Sequence, residues 1–95
     1  MKVYSGKEIP QLNEPQCSIV QAEIATGIIL TVEGQRYDKE TDEPFILIFN
    51  SLDEAKSFSE KKVIENPNLE CNIYNFSANF IEVVFEKGNK GEKDN

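Results

Sequence analysis

The order of apolar and polar positions divides this chain into a strand-rich first half, one helix and a closing pair of strands. From Cys17 to about Val32, the residues Val20, Ala22, Ile24, Ile28, Leu30 and Val32 share one parity, while Gln21, Glu23, Thr31 and Glu33 fall on the other. A period of two with this much β-branched content predicts a strand. Gly27 in its middle predicts a bend, a bulge or a break, hence one long strand or two. A helix over Pro15–Ala25, entered at Pro15, is the competing reading of the same stretch. Residues 34–44 form a loop, with Arg36 and Tyr37 able to extend the strand before it.

Phe45-Ile46-Leu47-Ile48-Phe49 has no alternation at all. A strand apolar on both faces belongs at the centre of a sheet covered from more than one side. The next segment, Ser51-Leu52-Asp53-Glu54, is a capping box. The Ser51 hydroxyl is placed to accept from the Glu54 amide, and the Glu54 carboxylate to reach back to the Ser51 amide. Asp53 adds negative charge to the first turn, where the helix dipole favours it. A helix is predicted from about Leu52 to Glu65, with Leu52, Ala55, Phe58 or Ser59, and Val63 on one stripe. Asn66-Pro67 ends it.

Leu69, Cys71 and Ile73 then alternate with Glu70 and Asn72, and Ile81, Val83 and Phe85 alternate with Glu82. The polar stretch Asn75–Asn79 between them fits a hairpin turn. The first sixteen residues read as irregular, punctuated by Gly6, Pro10 and Pro15, although Val3, Tyr4, Ile9 and Leu12 are large enough to pack. Residues 87–95 contain no apolar side chain and are expected to be a disordered polar tail. The fold expected for residues 1–86 is therefore a single α+β domain in the order β-β-α-β-β. It has a three- to four-stranded, mostly antiparallel sheet with one main helix packed on a face. Because the connections on either side of the helix are short, its flanking strands should share that sheet, with a right-handed crossover if they are parallel.

Size and charge narrow the functional classes. A chain of 95 residues is one domain and buries roughly 60–65% of its unfolded surface, so its core is thin. After Met1-Lys2 no apolar leader region follows, and the longest apolar run is the five residues Phe45–Phe49. Cys17 and Cys71 are too few for a disulfide scaffold and read as buried thiols, which makes a cytoplasmic location the expectation. The net charge of −7 argues against nucleic acid, whose phosphates require a Lys/Arg surface, and against an anionic membrane. By steering, it favours a basic protein partner, although charge also serves plain solubility.

The residue types that carry most chemistry are missing. There is no histidine, so Ser-His-Asp and Cys-His catalysis are excluded. Arg36 is the single arginine, the glycines are scattered, and no CxxC pair exists. Asp38, Glu40 and Asp42 at alternate positions have the spacing of a calcium-loop opening. However, Glu43 and Phe49 stand where that loop needs Gly and a bidentate Glu. Acidic neighbours, Glu14 before Cys17 and Glu70 beside Cys71, raise rather than lower thiol pKa values. No enzyme activity, cofactor or metal is therefore expected.

What remains is a non-catalytic small acidic protein-binding module, with an inhibitor or immunity role against a basic partner as one concrete form. Its expected contacts are Glu33, Asp38, Glu40, Asp42 and Glu43 for steering, with Tyr37 as an anchor. Tyr74, Phe76 and Phe80 form a second, aromatic candidate surface on the final hairpin. The alternatives are a homo-oligomeric structural or accessory subunit, a homodimer among them, that pairs sheet edges or aromatic faces to complete its core, and a small-ligand binder or carboxylate-dependent enzyme.

Overall fold

A computed structural model describes residues 1–86 of the chain. In chain order the elements are β1 (Lys2–Tyr4), a short 3-10 turn (Gly6–Glu8), β2 (Cys17–Glu23), β3 (Ile29–Leu30), β4 (Ile46–Phe49), α1 (Leu52–Glu65), β5 (Leu69–Tyr74) and β6 (Phe80–Val84). The strands form one sheet in the order β1-β4-β2-β5-β6, with β3 also paired to β2. Every pairing is antiparallel. The class is α+β, with one main helix on a mostly antiparallel sheet, and the sheet has six strands rather than three or four.

The two extra strands are the shortest. β1 lies inside the stretch 1–16 that reads as irregular, and its three residues pair with β4 through Lys2↔Ile48 and Tyr4↔Ile46. An edge strand makes hydrogen bonds on one side only, so three residues carry too little alternation to announce it. β3 is the far side of the break at Gly27, whose φ of 76° reverses the chain after β2.

Residues 17–23 are strand, and the helix over Pro15–Ala25 does not form. This strand is the centre of the sheet. β4 and β5 each run antiparallel to β2, so they are parallel to one another with β2 between them, and α1 crosses over it.

That crossover seals one face. Ala55 and Val63 of α1 pack with Ile19, Leu47, Phe49, Leu69, Cys71 and Ile73 into a single core. Phe58 meets Phe49 with ring centroids 5.1 Å apart. The Ser51 hydroxyl accepts from the Glu54 amide at 3.2 Å, while the Glu54 carboxylate accepts from the Asn50 amide at 3.3 Å, one residue before the expected partner. At the other end the Asn66 amide donates to the Lys62 carbonyl, ahead of Pro67.

The facing of two strands differs from their alternation. In β2 the residues packed under the helix are Cys17 and Ile19, whereas Val20 faces the other way with Ile46, its cross-strand partner on β4. A central strand is apolar on both faces, so alternation alone does not name the inward one. Gln21 occupies a fully buried position, where its amide donates to the Thr31 carbonyl at 3.1 Å. In β6 a register shift opposite Ile73/Tyr74 places both Ile81 and Val84 against the core, not the set Ile81, Val83 and Phe85.

The expected polar tail, 87–95, lies outside the described residues. Among the described residues no helix is long and apolar enough to cross a membrane.

Candidate functional site

The face of the sheet opposite α1 is only partly covered. Its floor is Ser18 and Val20 of β2 with Ile46 and Ile48 of β4. Residues 9–12 of the N-terminal segment stand on one side of this floor, and residues 74–78, at the end of β5 and in the following turn, stand on the other. Together they enclose an open cleft of about 530 Å³. Among the described residues no lining side chain is charged, and Tyr74 is the one titratable side chain in the lining.

Hydrogen bonds fix the turn that forms one wall and the chain that leads into the other. The Asn75 carboxamide oxygen accepts from the amides of Ser77 and Asn79 at 2.9 and 3.0 Å, and the Asn75 amide donates to the Asn79 carbonyl at 2.9 Å. This Asx-type turn suits asparagine because its side chain reaches the backbone two residues on. It carries Ala78 at a φ of 64°, a conformation that L residues other than Asn and Asp rarely take. Phe76 projects from it with 39% of its surface exposed. Phe80, at the start of β6, is 57% exposed and meets Tyr74 edge-on at 5.8 Å.

The strap of chain that leads into the opposite wall is pinned by Asp42 at Gly6 and Lys7. Its carboxylate accepts from the Gly6 amide at 3.1 Å, from the Lys7 amide at 3.3 Å and from the Tyr37 hydroxyl at 2.6 Å. A Cβ on Gly6 would stand 3.3 Å from the Phe45 ring and 3.4 Å from the Asp42 carboxylate, so glycine permits the close approach. The Tyr37 hydrogen bond, followed by those from Ser5, Gly6 and Lys7, holds the Asp42 carboxyl below its ordinary range, despite partial desolvation. The same Asp42 contact raises the Tyr37 phenol above its own. Tyr37 also packs on Phe45, 4.5 Å between ring centroids, which brings the loop to the edge of the cleft.

The expected contact residues are thus sorted by their environments. Tyr37 and Asp42 are engaged inside the molecule as the strap's anchor. Glu33, Asp38, Glu40 and Glu43 are exposed, and Asp38 also organises its own turn by accepting from the Glu40 amide at 2.9 Å. Tyr74 and Phe76 line the cleft, and Phe80 flanks it through Tyr74. Ile9, Leu12, Val20, Ile46 and Ile48 were not among the residues expected at this site. Their signal was present in the unbroken apolar run of β4, which required a second covered face, and in the apolar residues of the N-terminal stretch.

The other chemically capable groups lie elsewhere. Cys17 and Cys71 are free thiols and buried. Burial pushes the Cys71 thiol up to about 11, with the Ser59 hydroxyl beside it offsetting part of the rise. Burial raises Cys17 as well. The Arg36 guanidinium holds Glu23 at 3.0 Å, and that contact, with help from Thr26, lowers the Glu23 carboxyl. Among the described residues no group of three His, Cys, Asp or Glu side chains could hold a metal ion.

Comparison of the chain with protein-family models, with curated proteins and with solved structures finds no match.

Proposed function

We propose that this chain works by binding another protein, without catalysing a reaction, and that its partner docks in the cleft on the open sheet face. The observation that carries this reading is an open, apolar, uncharged cleft flanked by the exposed rings of Phe76 and Phe80. Apolar anchors entering such a cleft, with aromatic side chains at its margin, are the usual core of a protein interface. One wall and the chain that leads into the other are already held by Asn75 and Asp42, so docking orders little new chain and keeps more of the contact energy.

A catalytic reading has less to draw on. Among the described residues Tyr74 is the sole titratable side chain in the lining, and the buried thiols lie away from it with raised pKa values. An inhibitor or immunity-type role, in which the chain occupies a surface of a basic protein, is the concrete form that the net charge of −7 favours.

The test is affinity, measured by calorimetry, between a partner captured from the source cells and two single variants, Phe76→Ala and Ile9→Ala. Both side chains are well exposed, so neither change should unfold the chain. Losses on the order of tenfold or more are expected for one or both. Undiminished affinity in both variants would remove the cleft from the interface. Concentration-dependent self-association of the chain alone, seen by sedimentation, would replace the partner with a second copy.

A further inference from the structure

The charge distribution around the cleft, together with the composition of the chain beyond residue 86, narrows what can occupy it. Resting on the reading above, we infer that the cleft takes a segment of a basic protein that combines apolar side chains for the floor with Lys or Arg outside it. Three potential occupants differ in chemistry: residues 87–95 of this chain, a second copy, and a foreign segment.

Residues 87–95, Lys87-Gly88-Asn89-Lys90-Gly91-Glu92-Lys93-Asp94-Asn95, hold no apolar side chain to offer Val20, Ile46 and Ile48. Burying polar groups there without partners costs free energy. They carry three lysines against Glu92 and Asp94, a net +1, so residues 1–86 hold −8 of the chain's −7. A second copy would bring that charge against itself, and like-charged surfaces brought together repel.

The ionisable residues next to the lining in sequence tilt the same way. Within two positions of a lining residue stand Glu8, Glu14 and Glu43, all exposed, against Lys7 alone. Lys2 is a further cation on this sheet, paired in register with Ile48. The lining itself is neutral, so charge acts at the margin and apolar contact acts inside. This division gives fast, salt-sensitive capture of a cationic partner followed by desolvation of an apolar anchor.

A displayed library of random dodecapeptides, selected on the intact immobilised chain, tests this directly. Enriched peptides should join aromatic or aliphatic residues to Lys or Arg. Their affinity should fall at least about tenfold on Val20→Glu, which places a carboxylate on the floor, and on Phe76→Ala, which leaves the sheet intact. Charge reversal of the margin by Glu8→Lys with Glu43→Lys should weaken the same peptides and flatten their salt dependence.

Enriched peptides that need Val20 and Phe76 but are neutral or acidic overturn the basic partner while leaving the cleft as a protein-binding site. Cationic peptides indifferent to both cleft variants overturn the site, and assign the binding to the exposed acids of 33–43. A library that yields no binder at all overturns both readings.

Discussion

Ile19 and Val20 are neighbours on β2, yet they look into different environments. Ile19 is fully buried under α1, in a core closed by a helix of 14 residues and by side chains from four strands of the sheet. Val20 is only partly covered, on a face where the closure is a strap of N-terminal chain and the turn after β5. One face is sealed by apolar packing, which is dense and non-directional. The other is framed by a few oriented hydrogen bonds at Asp42 and Asn75, which leave room between them. The two strategies use the same central strand, so stability and accessibility are separated by a single step along the chain.

The largest expected effect tests that separation. Ile19→Ala should cost about 3 kcal/mol in denaturant unfolding, within the range for a fully buried aliphatic side chain. Val20→Ala should cost under about 1 kcal/mol, because its surroundings already admit solvent. Equal costs would mean that the open face is as tightly packed as the covered one. Against a total stability on the order of 5–14 kcal/mol for a chain of this size, the first change is severe.

The next effect is a pH dependence that belongs to the covered face. Folding raises the Cys71 thiol from 9.0 to about 11, so the folded state keeps a proton that the unfolded chain releases. Stability from this group is complete below the unfolded value and is lost as pH rises through that window. The loss should be on the order of 2 kcal/mol, and unfolding curves of Cys71→Ala should lack this share of the slope.

Smaller again is the helix cap over the same face. Ser51→Ala removes the acceptor for the Glu54 amide and should cost about 1 kcal/mol by thermal or urea unfolding. Its counterpart on the open face is Asp42→Asn, whose effect is local. Asp42 is held below the ordinary carboxylate range, so its contribution is present above that range and is lost as pH falls through the lowered value. Hydrogen exchange should show the Gly6 and Lys7 amides losing protection in acid for the wild type, and at neutral pH for the Asn variant. The amides of β5 should be unaffected.

How much of this was readable in advance follows the same division. The helix and its cap were legible because capping is local: Ser51 and Glu54 carry the information themselves. β5 was legible because its alternation of buried and half-buried residues is complete. β2 hid its facing because both faces carry apolar residues, and the chain reversal at Gly27 mixes two strands into one apparent period. β6 misled because its bulge sends Ile81 and Val84 to one side, a shift fixed by pairing with β5 rather than by its own residues.

At the candidate site, the aromatic residues of the final hairpin were visible as a surface, but the floor beneath them was not. Val20, Ile46 and Ile48 meet Ile9 and Leu12 only through tertiary folding. Asp42 and Tyr37 stood out as charged and aromatic residues in a loop. What their positions could not reveal was that they hold each other and the backbone of Gly6.

The central position of β2 also sets a schedule for folding. Val20 finds its β5 partner, Asn72, 52 positions further along, and the Asn72 carboxamide reaches back to the Val20 carbonyl at 3.3 Å. β4, which flanks β2 on its other side, is made first, so a growing chain has an apolar β2–β4 pair waiting for the strand that completes it. Closing so long a loop is entropically slow, and contact order of this kind places folding toward the millisecond range and beyond. During that interval the helix has no finished sheet to lie on, and the five residues 45–49, the longest apolar run in the sequence, lack their cover.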